Sequence, residues 1–366
     1  MRSWLNQFRY FDLFMFASSL LLLFLGLLMI YSTTLSSPVN LMPRQLVYAL
    51  VGLLAFFFLA FFDYRNLKKT TWWLYLLIVI SLVVVWFVGR NIRGSTRWID
   101  LGFFRIQPAE FAKLVMVVIM AKFLDQSGEK LKSFRYVILS GIYVAIPVFL
   151  ILIEPDLGSA LVVFSTWFVM LLFSRMRKKH LAILIGLLVL SAIVGWFFVL
   201  QPYQKTRVYT FVNPSADPRG SGYNVLQSII AVGSGGIFGR GVGRGFQSQL
   251  KFLPERQTDF IFASTAEELG LFGSLFILTM FGVILYRLVK TAQRSRDNFG
   301  MYLSLGIFFM LLIQVLINIG MNIGILPVTG IPLPFLSYGG SSLITTFAGL
   351  GLAQSVVARQ KAVRFD

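Results

Sequence analysis

Long apolar runs, separated by short polar segments, extend along almost the entire chain. A helix needs roughly 20 apolar residues to cross a bilayer core, and backbone polar groups in lipid must be satisfied within the segment, which favours helices. The pattern therefore predicts an all-α, polytopic integral membrane protein with ten transmembrane helices. The ten runs cover residues 11–31, 43–62, 72–89, 107–124, 134–153, 157–173, 180–200, 260–286, 300–326 and 337–358.

The composition agrees with this pattern and excludes several other classes. The chain has 366 residues, of which 57% are hydrophobic and 13% are charged. Soluble domains have about 45–50% apolar and about 25% charged residues. An ordinary cytosolic enzyme, a disordered chain and a fibrous protein are thereby excluded, and we expect a single membrane domain over residues 1–366. Because the sequence has no cysteine, disulfides and thiolate metal sites are excluded as well.

The distribution of positive charge predicts the orientation in the membrane. The chain carries 33 Lys and Arg against 15 Asp and Glu, which gives a net charge of +18. In a chain with ten spans both termini lie on one side, and cytoplasmic segments are rich in Lys and Arg. We therefore expect both termini in the cytoplasm, with membrane lipid rather than nucleic acid as the surrounding partner. The basic segments on that side are 65–69, 130–135, 175–179, 287–296 and 359–364.

The opposite, extracytoplasmic face also carries cations. Arg44, Arg97 and Arg207 fall in three of its segments, and Trp98 follows Arg97. Arginine is well suited to bind phosphate, so we expect a phosphate-bearing ligand here, with Arg97 on the phosphate and Trp98 on a sugar face. The alternative is a hydrated surface with scattered ion pairs and a tryptophan that anchors at the membrane interface.

One long segment, residues 201–259, does not span and is predicted to form a large extracytoplasmic loop between helices seven and eight. Apolar residues near 225–232 predict a short helix packed on the membrane domain. The glycine-rich segment 233–245 matches neither nucleotide-binding pattern, GxxxxGK[ST] or GxGxxG, so no nucleotide cofactor is expected. These glycines either cradle a lipid phosphate or serve as a packing hinge.

The loop ends where an aqueous segment enters an apolar helix, and Asp259 lies at that boundary. A helix N-terminus favours a carboxylate, whereas the low dielectric of the membrane opposes its charge. A carboxylate in this balance suits a general base, and Asp259 is therefore the candidate catalytic residue. The alternative is an aspartate that only caps the helix, and Thr258 is a further candidate for the cap.

Charged side chains within spans cost at least about 2.5–3.5 kcal/mol each and tend to mark functional sites. Glu110 and Lys113 are three residues apart in the fourth span, so they can pair on one helical face, and we expect them to line a cavity. In the eighth span, Glu267 is predicted to share a cavity with Asp259. Glu268 points nearly the opposite way from Asp259 and is expected to pair with a neighbouring helix.

Five stretches are distinctive: QPAEFAK at 107–113, EPDLG at 154–158, LPERQTDFIF at 253–262, AEELG at 266–270 and PFLSYGGSS at 334–342. Together and in this order they resemble the SEDS proteins (shape, elongation, division, sporulation). The resemblance covers essentially the whole chain. The segment QSQL at 247–250, with Glu255 and Arg256, is more similar to the RodA elongation branch than to the FtsW division branch.

The resemblance implies a peptidoglycan glycosyltransferase that polymerises lipid II on the outer face of the cytoplasmic membrane during cell elongation. It also implies a class B penicillin-binding protein as a partner that cross-links the strands. Asp259 matches the essential aspartate of the family, Glu110 and Lys113 match its fourth-span motif, and Asp156 matches its Pro-Asp-Leu-Gly motif. Glu154 departs from the usual Gln of the family.

We hypothesise that Asp259 takes the proton of a sugar 4-hydroxyl as it attacks the anomeric carbon of a second lipid-linked disaccharide. Undecaprenyl pyrophosphate leaves, and its charge is met by Lys113, by Arg97 and by Arg44 or Arg207, with or without a divalent cation such as Mg or Mn. Two alternatives are a lipid II flippase and a non-enzymatic scaffold for the penicillin-binding protein. The unusual charges cluster in the outer half without a matching inner gate, which argues against the flippase.

Overall fold

The structure is a computed structural model that describes residues 10–35, 40–92, 95–100, 102, 104–199, 202–214 and 222–360. Most of these residues are helical. The helices are, in chain order, α1 (Leu13–Thr34), α2 (Met42–Phe61), α3 (Leu67–Val88), α4 (Pro108–Ser127), α5 (Phe134–Ile153), α6 (Leu157–Leu172), α7 (Lys178–Val194), α8 (Pro202–Val212), α9 (Tyr223–Ser234), α10 (Phe246–Gln249), α11 (Ile261–Gln293), α12 (Asn298–Asn322) and α13 (Gly340–Gln360). Short 3-10 turns cover Tyr64–Asn66 and Gly128–Lys132.

Each of the ten apolar runs lies largely on one of these helices. Among the described residues, eight helices are long and apolar enough to cross a membrane, and the chain is a multi-pass membrane protein. Of the other two, α6 is a shorter apolar helix, whereas α4 carries the charged side chains of Glu110, Lys113, Lys122 and Asp125. The count of ten crossings stays a prediction.

The start of α1 and the end of α13 meet at one end of the molecule. Gln354 donates its side-chain amide to the carbonyl of Tyr10 (3.3 Å) and accepts from the backbone N–H of Asp12 (3.1 Å). Asp12 forms an ion pair with Arg287 of α11 at 2.6 Å. We call this the basic end and the opposite one, which holds residues 245–260, the loop end. The described residues nearest both termini thus share the basic end, and its cytoplasmic side stays a prediction.

The all-α prediction misses a small antiparallel sheet between α3 and α4. Its strands, in spatial order, are β1 (Arg90–Ile92), β2 (Ser95–Asp100) and β3 (Arg105–Ile106). Trp98 lies opposite Arg90, and Ile99 lies opposite Ile106. Strands this short contain too few residues for an alternating pattern to stand out from a turn, which explains why the sequence predicts helices alone.

Helices α12 and α13 form the centre of the bundle. α13 packs along α2, whereas α12 packs against α4, α6 and α11. Large apolar side chains on α3 point outward instead, for example Trp73 (72% exposed) and Phe87 (73% exposed). A continuous apolar surface of this kind is a liability in water but suits contact with lipid acyl chains.

The eighth predicted span is not a continuous helix. Within α11, Gly270 adopts a φ of 65° and a ψ of −157°, which breaks the helix there. The backbone N–H of Leu271 then donates to the carbonyl of Gly236 (2.9 Å), and the N–H of Arg240 donates to the carbonyl of Glu267 (3.0 Å). The glycine-rich segment therefore satisfies polar backbone groups that the break removes from the helix.

This close contact explains the glycines of segment 233–245. Gly239 has a φ of 78°, and a Cβ atom built there would lie 2.2 Å from the carbonyl oxygen of Glu268. Only glycine allows both that conformation and that approach. Of the two interpretations of the segment, the structure favours packing against α11. The preceding helix α9 confirms the predicted short helix and packs against α11 and α12.

Candidate active site

Asp259 lies in a tight turn two residues before the first residue of α11. The backbone N–H groups of Thr258 and Phe260 donate to the carbonyl of Glu255 (3.1 and 3.3 Å). Phe260 occupies the N-cap position of α11, without a side-chain capping bond. The Thr258 hydroxyl lies 3.2 Å from both the carbonyl and a carboxylate oxygen of Glu255, so the predicted cap by Thr258 is wrong. Asp259 itself is half-buried.

Two buried asparagines of α12 hold the backbone of Asp259. The side-chain amides of Asn318 and Asn322 each donate to its carbonyl oxygen at 3.0 Å. Asn318 also donates to the carbonyl of Ile331 at 2.8 Å, and Asn322 accepts from the N–H of Ala263 at 3.0 Å. These bonds fix the position from which the Asp259 side chain projects. Neither asparagine was predicted from the sequence.

The segment before α13 holds the same turn from another side. The hydroxyl of Ser337 donates to the carbonyl of Thr258 at 2.6 Å, and the N–H of Tyr338 donates to the carbonyl of Gln257 at 2.8 Å. Gly330 faces the carboxylate, since a Cβ atom built there would lie 3.5 Å from Oδ2 of Asp259. With a φ of 74°, Gly330 keeps the backbone compact beside the carboxylate.

The turn also has cationic neighbours. The side chain of Arg44, at the start of α2, forms a hydrogen bond with the phenol of Tyr338, and the charge of Arg105 acts on the same phenol. Tyr338 thus connects both arginines to the turn that carries Asp259. Arg44 was predicted as a ligand-binding residue, whereas Arg105 was placed on the same face but not in the predicted site. Arg207 lies on α8, but its side chain is outside the described residues.

Glu110 and Lys113 form the predicted pair on α4. Lys113 Nζ lies 2.6 Å from Glu110 Oε1 and 3.3 Å from the side-chain oxygen of Gln314 on α12. The two residues are only 3% and 2% exposed, so the pair does not line a cavity open to solvent, and its contact with substrate stays a prediction. A buried charge needs such partners, so the surrounding helices enclose and neutralise the pair.

A polar stripe on α12 connects this pair to Asp259. Gln314, Asn318 and Asn322 follow at intervals of four residues, so they lie on one face of the helix and about 6 Å apart along its axis. Gln314 contacts Lys113, and the two asparagines contact the carbonyl of Asp259. One face of α12 therefore carries polar side chains from the fourth-span pair to the backbone of the candidate base.

Arg97 and Asp156 brace the turn between α5 and α6. Arg97 donates to the carbonyls of Glu154 (3.1 Å) and Pro155 and lies 3.8 Å from the Asp156 carboxylate. Asp156 caps α6 by accepting from the N–H of Ser159 (3.1 Å) and also accepts from the amide of Gln107 (2.9 Å). Their geometry favours a structural role over the predicted contact with substrate. Trp98 beside them is partly buried in β2.

Glu154, in the same turn, is a buried carboxyl group of a different kind. It is 1% exposed, and neither of its carboxyl oxygens has a hydrogen-bond partner within the described residues. Burial and, to a smaller extent, the charge of Asp156 raise the pKa of the Glu154 carboxyl to about 8, against the opposing charge of Arg97. At neutral pH Glu154 is therefore a neutral acid.

Glu267 does not share a cavity with Asp259, contrary to the prediction. It is fully buried, and its carboxylate accepts from the N–H of Gln247 (2.7 Å) and from the N–H and hydroxyl of Ser248 (3.1 and 2.8 Å). Asp259 lies in the turn before α11, so helical spacing does not relate the two residues, and the start of α10 occupies the space beside Glu267. Glu268 accepts from the hydroxyl of Ser32 on α1, which confirms the predicted pairing with a neighbouring helix.

A metal held by protein side chains alone has no support within the described ranges. There, no group of three or more His, Asp or Glu side chains is arranged to hold a metal ion. A single carboxylate such as Asp259 can still hold Mg together with oxygens of a bound diphosphate, since this ion is commonly shared between one or two carboxylates and substrate phosphates. The requirement for a divalent cation stays a prediction.

The chain is similar to known proteins over nearly its full length. It is 41% identical over 360 residues to stage V sporulation protein E of Bacillus subtilis (strain 168), covering 94% of this chain and 96% of that protein. It is 36% identical over 348 residues to the peptidoglycan glycosyltransferase MrdB of Escherichia coli (strain K12), covering 93% of each. Among probable FtsW glycosyltransferases, that of Geobacter metallireducens is 35% identical and covers 98% of this chain and 97% of that protein.

Solved structures match in the same way. A chain from a peptidoglycan synthase complex that coordinates polymerization and crosslinking has a TM-score of 0.80 and 35% identity, covering 96% of this chain and 99% of that chain. The rod shape determining protein RodA of Thermus thermophilus has a TM-score of 0.70 and 31% identity, covering 95% and 96%. The family model of FtsW, RodA and SpoVE cell cycle proteins matches residues 12–362. The chain therefore belongs to the FtsW/RodA/SpoVE family, the SEDS proteins.

Proposed function

We propose that this protein is a peptidoglycan glycosyltransferase that polymerises lipid II on the outer face of the cytoplasmic membrane. Relatives at 35–36% identity over almost the whole chain bear the name peptidoglycan glycosyltransferase. A role in cell elongation rests on the resemblance of 247–250 to the RodA branch. The sporulation relative is more similar than MrdB in overall identity, so the branch has to be decided by function in cells.

One observation carries the proposed chemistry: Asp259 is half-buried at the loop end, on a backbone held by Asn318, Asn322 and Ser337. A general base must be positioned within hydrogen-bond reach of the proton it takes. In the proposed step, the 4-hydroxyl oxygen of one sugar bonds to the anomeric carbon of another disaccharide. The carbon–phosphate oxygen bond breaks, the proton passes to Asp259, and the α-linked donor becomes a β-1,4 product by inversion.

The leaving diphosphate needs positive charge close to the carboxylate. Arg44 and Arg105 are the candidates for this charge, because both act on Tyr338 beside the turn of Asp259, although Arg105 also pairs with Asp100 at 3.8 Å. Lys113 is enclosed with Glu110, and Arg97 is bonded to the α5–α6 turn. Cationic donors directed at a departing oxyanion stabilise the transition state. A divalent cation shared between Asp259 and the diphosphate would supply further charge.

The test is polymerisation of purified lipid II by the full chain in detergent, read as glycan chain length. Asp259→Asn keeps the size of the side chain and removes the base. We expect a loss of about 10²–10⁴-fold in rate, the usual contribution of general acid–base catalysis, at an unchanged melting temperature. Asp63→Asn, the same substitution at the basic end, should retain activity. Polymer formation by Asp259→Asn at the wild-type rate would refute the assignment.

The wild type and Asp259→Asn together distinguish the enzyme from the flippase and the scaffold. A flippase would translocate lipid II in sealed vesicles, and its transport would not require an external base. A scaffold would form no polymer as a purified wild-type protein. We further propose a class B penicillin-binding protein as the cross-linking partner, supported by the similarity to a chain of a synthase complex that coordinates polymerization and crosslinking.

A further inference from the structure

A pocket opens at the basic end, away from Asp259, between α3, α4 and α5. Its volume is about 250 Å³, slightly below the roughly 300–1,000 Å³ of sites for drug-sized ligands. Four of its ten lining residues are aromatic: Trp72, Phe123, Tyr136 and Tyr143. A pocket of this size suits the headgroup of a larger molecule rather than a complete cofactor.

Two lysines at the pocket lack an acidic partner. Lys122 and Lys130 both line it, and neither forms an ion pair within the part of the chain that the structure describes. Instead, Lys122 Nζ lies 5.9 Å from the ring centre of Trp72, and Lys130 Nζ lies 5.9 Å from that of Tyr136. The cations are thus held over aromatic rings, with hydrogen-bond donors available to an anion.

The acids closest to these lysines in sequence are bound to other cations. Asp125 forms an ion pair with Lys68 at 2.9 Å. Glu129 pairs with Lys132 and with Arg175, the latter at 2.7 Å. Asp125 and Glu129 therefore do not neutralise the positive charge of Lys122 and Lys130.

The pocket extends from the end of the bundle into its apolar side. Lys130 lies in the 3-10 turn after α4, and Tyr136 lies in the first turn of α5. Tyr143 follows Tyr136 by two helical turns, about 10 Å deeper along the axis. Beside the opening, α3 exposes Trp72 (54%) and Trp73 (72%), residue types that are enriched at membrane–water interfaces. A charged entrance followed by an apolar wall matches a lipid that enters from the bilayer.

We propose that this pocket binds an anionic phospholipid of the leaflet at the basic end, with the phosphate between Lys122 and Lys130 and an acyl chain along the aromatic wall. Basic pockets between transmembrane helices at the cytoplasmic side are a known mode of lipid headgroup recognition. An acidic protein segment would match the lysines equally well but would not account for a wall that deepens into the apolar bundle. The site is independent of the proposed glycosyltransferase chemistry at Asp259.

The experiment is native mass spectrometry of the full chain in detergent, titrated with dioleoyl phosphatidylglycerol or dioleoyl phosphatidylcholine. Each lysine near an anionic lipid surface contributes about fivefold in affinity. The double variant Lys122→Gln/Lys130→Gln should therefore bind phosphatidylglycerol about twenty-five-fold more weakly, with little change for phosphatidylcholine. Lys178→Gln/Lys179→Gln removes the same charge from the exposed start of α7 and should bind like the wild type.

A charge-conserving double variant shows whether weaker lipid binding comes from lost charge or from misfolding. Lys122→Arg/Lys130→Arg should retain the preference for phosphatidylglycerol, and circular dichroism should show equal helix content in all variants. Inorganic phosphate at equal concentration should not displace the lipid, because it lacks the acyl chain. Equal binding of both lipids by the wild type, or an equal loss in the Gln and α7 variants, would overturn the proposal. The proposal would also be overturned if a glutamate-rich peptide bound in a way that depends on Lys122 and Lys130 while phosphatidylglycerol binding did not depend on them.

Discussion

Asp259 and the pair Glu267–Glu268 lie within one short stretch of chain, yet the buried hydrogen-bond donors around them reach different atoms. At Glu267 and Glu268 the glycine-rich segment, α10 and Ser32 of α1 donate hydrogen bonds directly to the buried carboxylate oxygens. At Asp259 the buried donors, Asn318 and Asn322, are directed at the backbone carbonyl. Donors to the carboxylate make an acid a structural element, whereas donors to the backbone hold an acid in position for a ligand.

The largest loss of stability is expected where the buried hydrogen bonds are accepted by the carboxylate itself. Glu267→Ala removes the acceptor of two backbone N–H groups and the Ser248 hydroxyl, all in a buried setting. We expect a loss of about 3–5 kcal/mol in the free energy of unfolding, as for other broken buried charge networks. Thermal unfolding of the purified protein measures it.

Two control variants sharpen this result. Glu267→Gln keeps one acceptor oxygen and should lose clearly less stability than Glu267→Ala. Glu129→Ala removes an exposed acid, whose ion pairs contribute about 0–1 kcal/mol. If Glu267→Ala and Glu129→Ala were equally stable, the contrast between the two regions would be unfounded.

Sequence predicted the apolar part of the fold well because length and apolarity are local properties. Each of the ten runs became a helix without reference to the rest of the chain. The break at Gly270 was invisible for the opposite reason. A single glycine is tolerated within a helical pattern, and the segment that satisfies the broken backbone, around Gly236 and Arg240, lies some thirty residues away.

A smaller effect on stability and a distinct effect on activity are expected in the Asp259 region. Asn318→Ala leaves the buried carbonyl of Ile331 without this donor and weakens the hold on the Asp259 carbonyl. We expect a loss of about 2–3 kcal/mol in stability. Because small displacements of a catalytic group can cost about 10²-fold, the polymerisation rate per folded molecule should fall by about 10–100-fold. Rate assays corrected for folded fraction provide the measurement.

Asn298→Ala, on the exposed first residue of the same helix, is the matched control. It should change stability by no more than about 0.5 kcal/mol and leave the rate unchanged. If folded Asn318→Ala polymerised at the wild-type rate, the hydrogen bond from Asn318 to the Asp259 carbonyl would not be what positions the base.

The candidate site was therefore only partly predictable. Asp259 could be found because a carboxylate at the boundary of an apolar span is conspicuous in a single sequence. The asparagines could have been flagged as polar residues four apart in a span, but their target is a carbonyl brought close by tertiary folding. Likewise, nothing in the positions of Arg97 and Asp156 revealed that they bond to their own turn rather than to a ligand.

Glu154 is a third case beside Glu267 and Asp259, because its buried carboxyl group lacks hydrogen-bond donors within the described residues. Burial raises its pKa to about 8 in the folded protein, from the ordinary value of 4.5. Between these two values the unfolded chain releases the proton and the folded protein keeps it, so the stability contributed by the neutral acid falls as the pH rises from 4.5 to 8.

Glu154→Gln removes this titration. Its stability relative to the wild type should rise between pH 4.5 and pH 8 by up to about 1.4 kcal/mol per pH unit, whereas the cost of placing the new amide in the same enclosure is the same at every pH. Melting temperatures from pH 4 to 9 measure the difference. Glu129→Gln is the control, because Lys132 and Arg175 lower the pKa of that exposed acid, and it should show no such gain. A pH-independent difference between Glu154→Gln and the wild type would mean that Glu154 has donors after all and belongs with Glu267.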